Sequence, residues 1–252
     1  MRIKAILGSS SQELVQSQSA NRQAALGAGT KLTIVAPHDC PPSTETEHDE
    51  LVSAPAIFSE ALCAEAEGFD AVTIDCTLDP GLRATQRACR IPVVGAGEAA
   101  LCLALLLGDR FSVIMPIRES IGPMVAKIRR MGLWQRAASV RAVNLHVLDL
   151  GDCQRTLEAL VQEGCRAVQE DGAEVIVLGC TAMGPVAGAL AERLGIPVVE
   201  PGTAALKLAE AFAAPAWRAC LSPRPMGEER GESPEPRSAD QARQRCRRVG
   251  ER

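Results

Sequence analysis

Two cysteines occupy matching places in an internal repeat. The segment 68–77, Gly-Phe-Asp-Ala-Val-Thr-Ile-Asp-Cys-Thr, lies 104 residues before the segment 172–181, Gly-Ala-Glu-Val-Ile-Val-Leu-Gly-Cys-Thr. Both begin with a glycine and an acidic residue, continue through four strand-forming residues, and end in Cys-Thr. Cys76 and Cys180 are therefore predicted to hold equivalent positions in two similar units of about 100 residues each.

The chemistry that such a pair could perform is proton transfer on two faces of one carbon. Each cysteine follows an apolar strand, and open α/β sheets bind ligands at the carboxyl ends of their strands. If the units pack about a pseudo-two-fold axis, Cys76 and Cys180 meet opposite faces of a small molecule. One sulfur could remove a proton while the other delivers one, which is racemisation. The alternative is that both are inert residues of a duplicated turn.

The turns after the cysteines contain signals for helix starts. Asp79 and Pro80 form a favourable N-cap and first-turn pair, and Pro185 follows Cys180 in a similar way. Free N–H groups at a helix start favour a thiolate, so we expect them to lower the cysteine pKa below its ordinary value of about 8.5.

The same turns supply candidate substrate-binding residues, Thr77, Gly179 and Thr181. Their N–H and hydroxyl groups could bind a carboxylate or the enolate oxygen that deprotonation creates. The alternative for the two threonines is an ordinary role in turns and helix caps.

No motif predicts a metal or an organic cofactor. The ten cysteines include no Cys-x-x-Cys pair, and the three histidines do not lie at zinc-finger spacing. Gly95-Ala96-Gly97 follows a predicted strand but lacks the third glycine of a dinucleotide fingerprint. Nothing points to pyridoxal phosphate, nicotinamide or flavin, so the predicted chemistry uses no cofactor.

Composition favours a cytoplasmic protein that acts on small molecules. The net charge of −4, with four Phe, two Trp and no Tyr, gives no reason to expect a nucleic-acid partner. The longest apolar run, 99–107, is too short to span a bilayer, so no membrane partner is expected. Residues 1–7 resemble a strand more than a signal peptide.

Short β-branched runs alternate with helical segments, which is typical of an α/β protein with parallel sheets. The predicted strands are Arg2–Leu7, Lys31–Ala36, Ala71–Asp75, Ile91–Gly95, Phe111–Met115, Val143–Leu148, Val175–Leu178 and Ile196–Val199. The predicted helical segments are Ala54–Glu67, Ala99–Leu107, Pro123–Arg130, Thr156–Glu170 and Val186–Leu194.

The repeat predicts one domain, residues 1–215, made of two similar lobes related by a pseudo-two-fold axis. We assign 1–97 plus 200–215 to one lobe and 98–199 to the other, with the active site in the cleft between them. Residues 221–252 are rich in Pro, Arg, Glu and Ser and are predicted to be a disordered tail, which excludes Cys246 from the site.

The sequence resembles the aspartate/glutamate/hydantoin racemase superfamily, and within it the hydantoin (allantoin) racemase branch. The resemblance covers about residues 1–212. It is carried by Pro42–Glu45, Asp75–Leu82, Ile91–Ala100, Arg110–Ile114 and Glu170–Met183. It implies a two-lobed enzyme without a cofactor, with Cys76 and Cys180 as catalytic residues, and a homo-oligomer.

Three other positions bear on the substrate. Gly8-Ser9-Ser10-Ser11 replaces the branch's Asn-Pro-Asn-Thr/Ser loop, so Ser9 and Ser10 are candidate binding residues or else helix caps. Met115-Pro116 stands where the branch has threonines. Glu45 matches a branch motif near the cleft; its alternative is an exposed acidic loop.

The resemblance implies racemisation of a 5-substituted hydantoin or allantoin. Gly179-Cys180-Thr181 is closer to the amino-acid racemases, which keeps an aspartate or glutamate racemase open. A maleate-type cis–trans isomerase uses the same scaffold, whereas two cysteines disfavour a decarboxylase. Loss of the Asn-Pro-Asn loop leaves a degenerate ligand-binding paralogue as the non-enzymatic alternative.

Overall fold

Eight short strands form two parallel sheets in residues 1–217, the part of the chain that the computed structural model describes. The first sheet has the order β2-β1-β3-β4 and the second has the order β6-β5-β7-β8. Their strands are β1 Arg2–Leu7, β2 Lys31–Val35, β3 Ala71–Asp75, β4 Val93–Gly95, β5 Phe111–Met115, β6 Ala137–Ala142, β7 Val175–Leu178 and β8 Val198–Val199. The shared order confirms the predicted α/β class and the two similar lobes. The predicted tail and Cys246 lie outside the described residues.

In the described residues, eight α-helices connect and cover the strands. They are α1 Gln12–Ala24, α2 Glu47–Ala66, α3 Leu82–Ala88, α4 Ala96–Leu107, α5 Ile121–Arg130, α6 Cys153–Gln169, α7 Ala187–Leu194 and α8 Pro201–Ala213. Short 3₁₀ segments occupy Arg118–Ser120, Trp134–Arg136, Val147–Gly151 and Thr181–Val186. Within residues 1–217, no helix combines the length and the apolar character needed to cross a membrane.

The two lobes share one core because helices α4 and α8 lie between the sheets. Helix α8 follows β8 of the second lobe but packs on β3 of the first, and α4 follows β4 but contacts β7. Ile3 and Ala71 of the first sheet belong to the same apolar cluster as Phe111 and Val175 of the second. This shared core holds the carboxyl ends of β3 and β7 near one another.

The sixth strand does not lie where the sequence predicts it. The apolar run Val143–Leu148 is not a strand; β6 is Ala137–Ala142, at the edge of the second sheet. Asn144 has a left-handed φ of 57°, which ends the extended chain, and Val147 then enters an apolar cluster from a 3₁₀ turn. The edge strand is only half buried, so its sequence lacks a strong apolar pattern.

Candidate active site

Cys76 and Cys180 line one cavity between the lobes. Cys76 follows β3 and Cys180 follows β7. These two strands hold the same position in the order of their sheets, so the two thiols come from the carboxyl ends of equivalent strands. The cavity encloses about 470 Å³ of space, part of it open to solvent. Four other predicted site residues line it as well: Ser9, Thr77, Gly179 and Thr181.

Burial dominates the acidity of both thiols. It raises the pKa of Cys76 far above its ordinary value, and it raises the pKa of Cys180 to about 12. The backbone N–H groups of Leu78 and Ala182 lower these pKa values, but by less than burial raises them. The expectation of a cysteine pKa below the ordinary value is therefore wrong. A negative charge on the Cys180 sulfur also raises the pKa of Cys76.

The chain after Cys76 does not start a helix at Asp79, and this prediction is wrong. Asp79 has a left-handed φ of 53°, and helix α3 begins only at Leu82. The Asp79 carboxylate instead accepts hydrogen bonds from the N–H groups of Gly97 (2.9 Å) and Glu98 (2.8 Å), the start of α4. Asp79 therefore caps a helix that follows the neighbouring strand.

A lysine from the second lobe reaches the same turn. Lys127 lies on α5, and its Nζ donates to Asp79 Oδ2 at 2.5 Å and to the backbone oxygen of Thr77 at 3.0 Å. Both charged side chains are almost fully buried. The sequence offers no signal for this contact, because Lys127 resembles the basic residues that commonly end a helix.

An arginine and two carboxylates lie on the other side of Cys76. Arg22, on α1, binds Asp75 through Nε (3.1 Å) and Nη2 (3.2 Å) and binds Glu200 through Nη1 (2.7 Å). Glu200 also accepts from the N–H groups that begin α8. Arg22 is 1% exposed, so its charge is neutralised by these carboxylates and not by solvent.

Apolar packing surrounds the turn after Cys180. The 3₁₀ segment Thr181–Val186 packs against α1 of the first lobe, and Met183 is fully buried in an apolar cluster. Gly179 approaches β5 closely: a Cβ at that position would lie 2.6 Å from the backbone oxygen of Ile114 and would collide with Met115. Any larger residue there would displace Cys180.

The two threonines use their hydroxyl groups differently. Thr181 Oγ1 donates to the backbone oxygen of Asp75 at 3.4 Å, which links the second turn to the first strand end. The Thr77 hydroxyl is buried and has no hydrogen-bond partner in residues 1–217. A buried hydroxyl without a partner is uncommon, so Thr77 is available to a ligand in the cavity that it lines.

Glu45 and Ser10 are absent from the residues that line the cavity. Glu45 is buried at the mouth and bridges the lobes: it accepts from the Val147 N–H at 2.8 Å and pairs with His146 Nδ1 at 2.9 Å. It is not part of an exposed acidic loop. Ser9 donates to the backbone oxygen of Pro42 at 2.5 Å, which ties the chain after β1 to the segment that leads to Glu45.

Two repeated α/β lobes that each contribute a partly exposed thiol to one cleft define a two-lobed protein with paired cysteines. The chain belongs to the Asp/Glu/hydantoin racemase family, whose model matches residues 5–209. This confirms the resemblance identified from the sequence.

Three relatives illustrate this membership. The chain is 35% identical over 211 residues to a hydantoin racemase of Pseudomonas sp. (strain NS671), covering 83% of this chain and 85% of the relative. It is 39% identical over 186 residues to a hydantoin racemase of Rhizobium meliloti, covering 73% and 77%. The solved allantoin racemase from Klebsiella pneumoniae superposes with a TM-score of 0.85 at 29% identity, covering 93% of this chain and 97% of that one.

Proposed function

We propose that this protein racemises a 5-substituted hydantoin or allantoin, by proton transfer between Cys76 and Cys180 and without a cofactor. The observation that carries the proposal is the placement of both thiols in one cavity, at matching positions of opposite lobes. The hydantoin racemases and the allantoin racemase to which the chain is similar support this class of substrate.

The reaction would occur at C5 of the ring, next to a carbonyl group. One sulfur, as a thiolate, takes the C5 proton, and the electron pair moves to the carbonyl oxygen to form an enolate. The second thiol then gives its proton to the opposite face of C5 while the carbonyl re-forms. The product is the other enantiomer, and the two sulfurs have exchanged protonation states, so the reverse reaction uses the same groups.

The enolate oxygen needs a hydrogen-bond donor fixed in place before the reaction. The Leu78 and Ala182 N–H groups are directed at the sulfurs and can stabilise whichever one is ionised. The Thr77 hydroxyl, which lacks a partner in residues 1–217, is the donor that we assign to the substrate oxygen. Ser9 and Thr181 complete the polar wall, and Gly179 allows Cys180 its position.

The charge of the cavity supports an uncharged ring over a dicarboxylate. The lining residues in the described part of the chain include no lysine, arginine or histidine. The nearby Arg22 is already paired with Asp75 and Glu200. Aspartate, glutamate or maleate would bring two carboxylates into a site without a free cation, and a buried charge without a partner is costly.

A substrate panel in D₂O tests the proposal. The purified protein would be incubated with each enantiomer of 5-benzylhydantoin, allantoin, aspartate and glutamate, and optical rotation and deuterium incorporation would be followed together. We expect loss of rotation and deuterium at the α-carbon for a hydantoin. Racemisation of aspartate or glutamate alone would contradict the substrate assignment, and no exchange with any compound would support the degenerate paralogue.

We also propose that the enzyme works in the cytoplasm, as a homo-oligomer with small molecules as its substrates. The lobes would comprise 1–97 plus 200–215 and 98–199 within a 1–215 domain. The packing of α8 on β3 supports the assignment of 200–215 to the first lobe. Light scattering coupled to size-exclusion chromatography would measure the oligomer, and a single-subunit mass would refute it.

A further inference from the structure

We propose that Lys127 is a positioning residue: it reaches across from the second lobe and holds the Cys76 turn in the geometry that proton transfer requires. The inference rests on the proposed function, because it concerns the reaction of the Cys76 sulfur. It adds a residue that touches neither sulfur nor, by our assignment, the substrate.

The contacts form an unbroken path from α5 to the thiol. Lys127 Nζ donates to the backbone oxygen of Thr77, the residue bonded to Cys76, and to Asp79, whose own N–H closes the turn onto the Cys76 oxygen at 2.9 Å. Asp79 in turn is fixed by two N–H groups of α4. One ammonium group therefore contacts the second and the fourth residue of the turn 76–79.

Capping of α4 does not by itself require the lysine. The Asp79 carboxylate already receives two backbone hydrogen bonds at a helix N-terminus, an environment that stabilises a negative charge. What Lys127 adds is the bond to the Thr77 oxygen, at a point where the chain is also in close contact with Gly97. The buried ammonium group of Lys127 therefore lies beside the turn that carries the reactive cysteine.

The turn needs such support because its backbone is not in a regular structure. Asp79 and Gly81 both have left-handed φ values, 53° and 71°, and a non-glycine residue in this region is disfavoured. The Cys180 turn runs directly into a 3₁₀ segment and contains no charged residue of its own, although the Arg22-paired Glu200 lies against Gly184. Loss of Lys127 should therefore affect one sulfur more than the other.

The rate constants alone cannot reveal this asymmetry. The two enantiomers have equal energies, so kcat/KM must be the same in both directions for every variant. The asymmetry can instead be measured as the fraction of deuterium that enters a substrate molecule without inverting its configuration. If Cys76 is misplaced, an enantiomer deprotonated by Cys180 persists as the enolate. The Cys180 thiol then exchanges the proton it has taken for a deuteron from D₂O and returns that deuteron to the same face of the carbon.

The experiment compares three variants in D₂O with D- and L-5-benzylhydantoin as probes. Lys127→Met removes the ammonium group. Lys127→Met with Asp79→Asn also removes the carboxylate charge that would be left unpaired. Lys4→Met is the matched control, because Lys4 is an equally buried lysine paired with Glu60 and Glu67 (2.8 and 2.9 Å) away from the cavity lining.

We expect both Lys127 variants to lose racemisation by about tenfold to a hundredfold, the usual cost of a small misplacement of reacting groups. Deuterium should enter with retention in one enantiomer only, and Lys4→Met should leave the retention-to-inversion ratio at the wild-type value.

Equal retention in both enantiomers, or full recovery of the wild-type ratio in the double variant, would reduce Lys127 to a structural role and overturn the inference. Absence of exchange in the wild-type protein would overturn the proposed function instead.

Discussion

The Cys76 turn carries a charged residue that forms a buried ion pair, whereas the Cys180 turn carries no charged residue and packs mainly through Met183. The first is fixed by Lys127 and Asp79, both almost fully buried. In the second, Met183 takes the place that Asp79 has in the repeat and lies within an apolar cluster. The two turns have similar sequences and present similar thiols, yet they are stabilised by different interactions.

The two copies of the repeat share the reactive cysteine but differ in the contacts that fix its turn. Each turn is held by the first helix of the opposite lobe: α5 supplies Lys127 to the Cys76 turn, and α1 packs against the segment after Cys180. The position of each sulfur therefore depends on how the lobes dock, and a change in one lobe should be felt at the thiol of the other.

The largest effect should come from the thiols themselves. Cys76→Ser and Cys180→Ser should each lower the racemisation rate by up to about 10⁴-fold, since a serine hydroxyl is a much weaker acid than a thiol and hardly ionises to the form that accepts a proton. Cys89→Ser, at a buried cysteine outside the cavity lining, is the control for the loss of a buried sulfur. Polarimetry with both hydantoin enantiomers measures the rates. A racemisation rate for either site variant similar to that of the control would contradict the two-thiol mechanism.

The contacts that fix the two turns can be compared through the free energy of unfolding. Asp79→Ala leaves the Lys127 ammonium group buried without its carboxylate and should cost about 3–5 kcal/mol. Met183→Ala leaves a cavity in an apolar cluster and should cost about 2–5 kcal/mol. Urea unfolding followed by circular dichroism measures both losses.

A second change should separate the two cases. Adding Lys127→Met to Asp79→Ala removes the unpaired charge and should return part of the lost stability, whereas adding it to Met183→Ala should simply add a further loss. If Lys127→Met has the same effect in both backgrounds, the Cys76 turn is not held by a coupled ion pair.

The threonines that follow the cysteines give a smaller and more selective test. Thr77→Val replaces a hydroxyl group without a partner in residues 1–217, so the free energy of unfolding should not fall, while racemisation should slow about tenfold or more because the enolate loses a donor. Thr181→Val breaks the bond to the Asp75 oxygen and should cost about 1 kcal/mol of stability. Reversal of this pattern would assign the substrate contact to Thr181.

The local sequence was enough to predict most strands, although not β6, and to place Cys76 and Cys180 in one cavity, because strand runs and their flanking glycines are properties of contiguous sequence. It was not enough for the turn after Cys76. There Asp79 and Pro80 have the local pattern of a helix start, but the carboxylate is taken by α4, which lies beside it only in the folded chain. Contacts made by residues distant in sequence override the local preference.

Lys127 and Arg22 illustrate the same limit. Each lies among polar residues on an otherwise ordinary helix, and each becomes a buried partner of a turn that begins 50 or more residues away. The role of Lys127 follows from the docking of the two lobes, whereas Arg22 contacts Asp75 and Glu200 within the first lobe as assigned above. Neither contact is indicated by the residues next to it in the sequence. Glu45 lies between these cases, since a motif indicated a place near the cleft but not that its partners would be His146 and Val147.

The smallest effect should appear at the mouth, where Glu45 raises the pKa of exposed His146 above its ordinary value by a hydrogen bond and by its charge. Since the folded-state pKa is the higher one, this contact stabilises the bridge fully below the ordinary pKa of histidine, about 6.5, and the contribution fades as pH rises through the folded value.

In Glu45→Gln the Val147 N–H keeps an acceptor while the charge is gone. NMR titration of the His146 ring should therefore show a lower pKa in the variant than in the wild type. An unchanged pKa of His146 would mean that the contact between Glu45 and His146 does not form in solution.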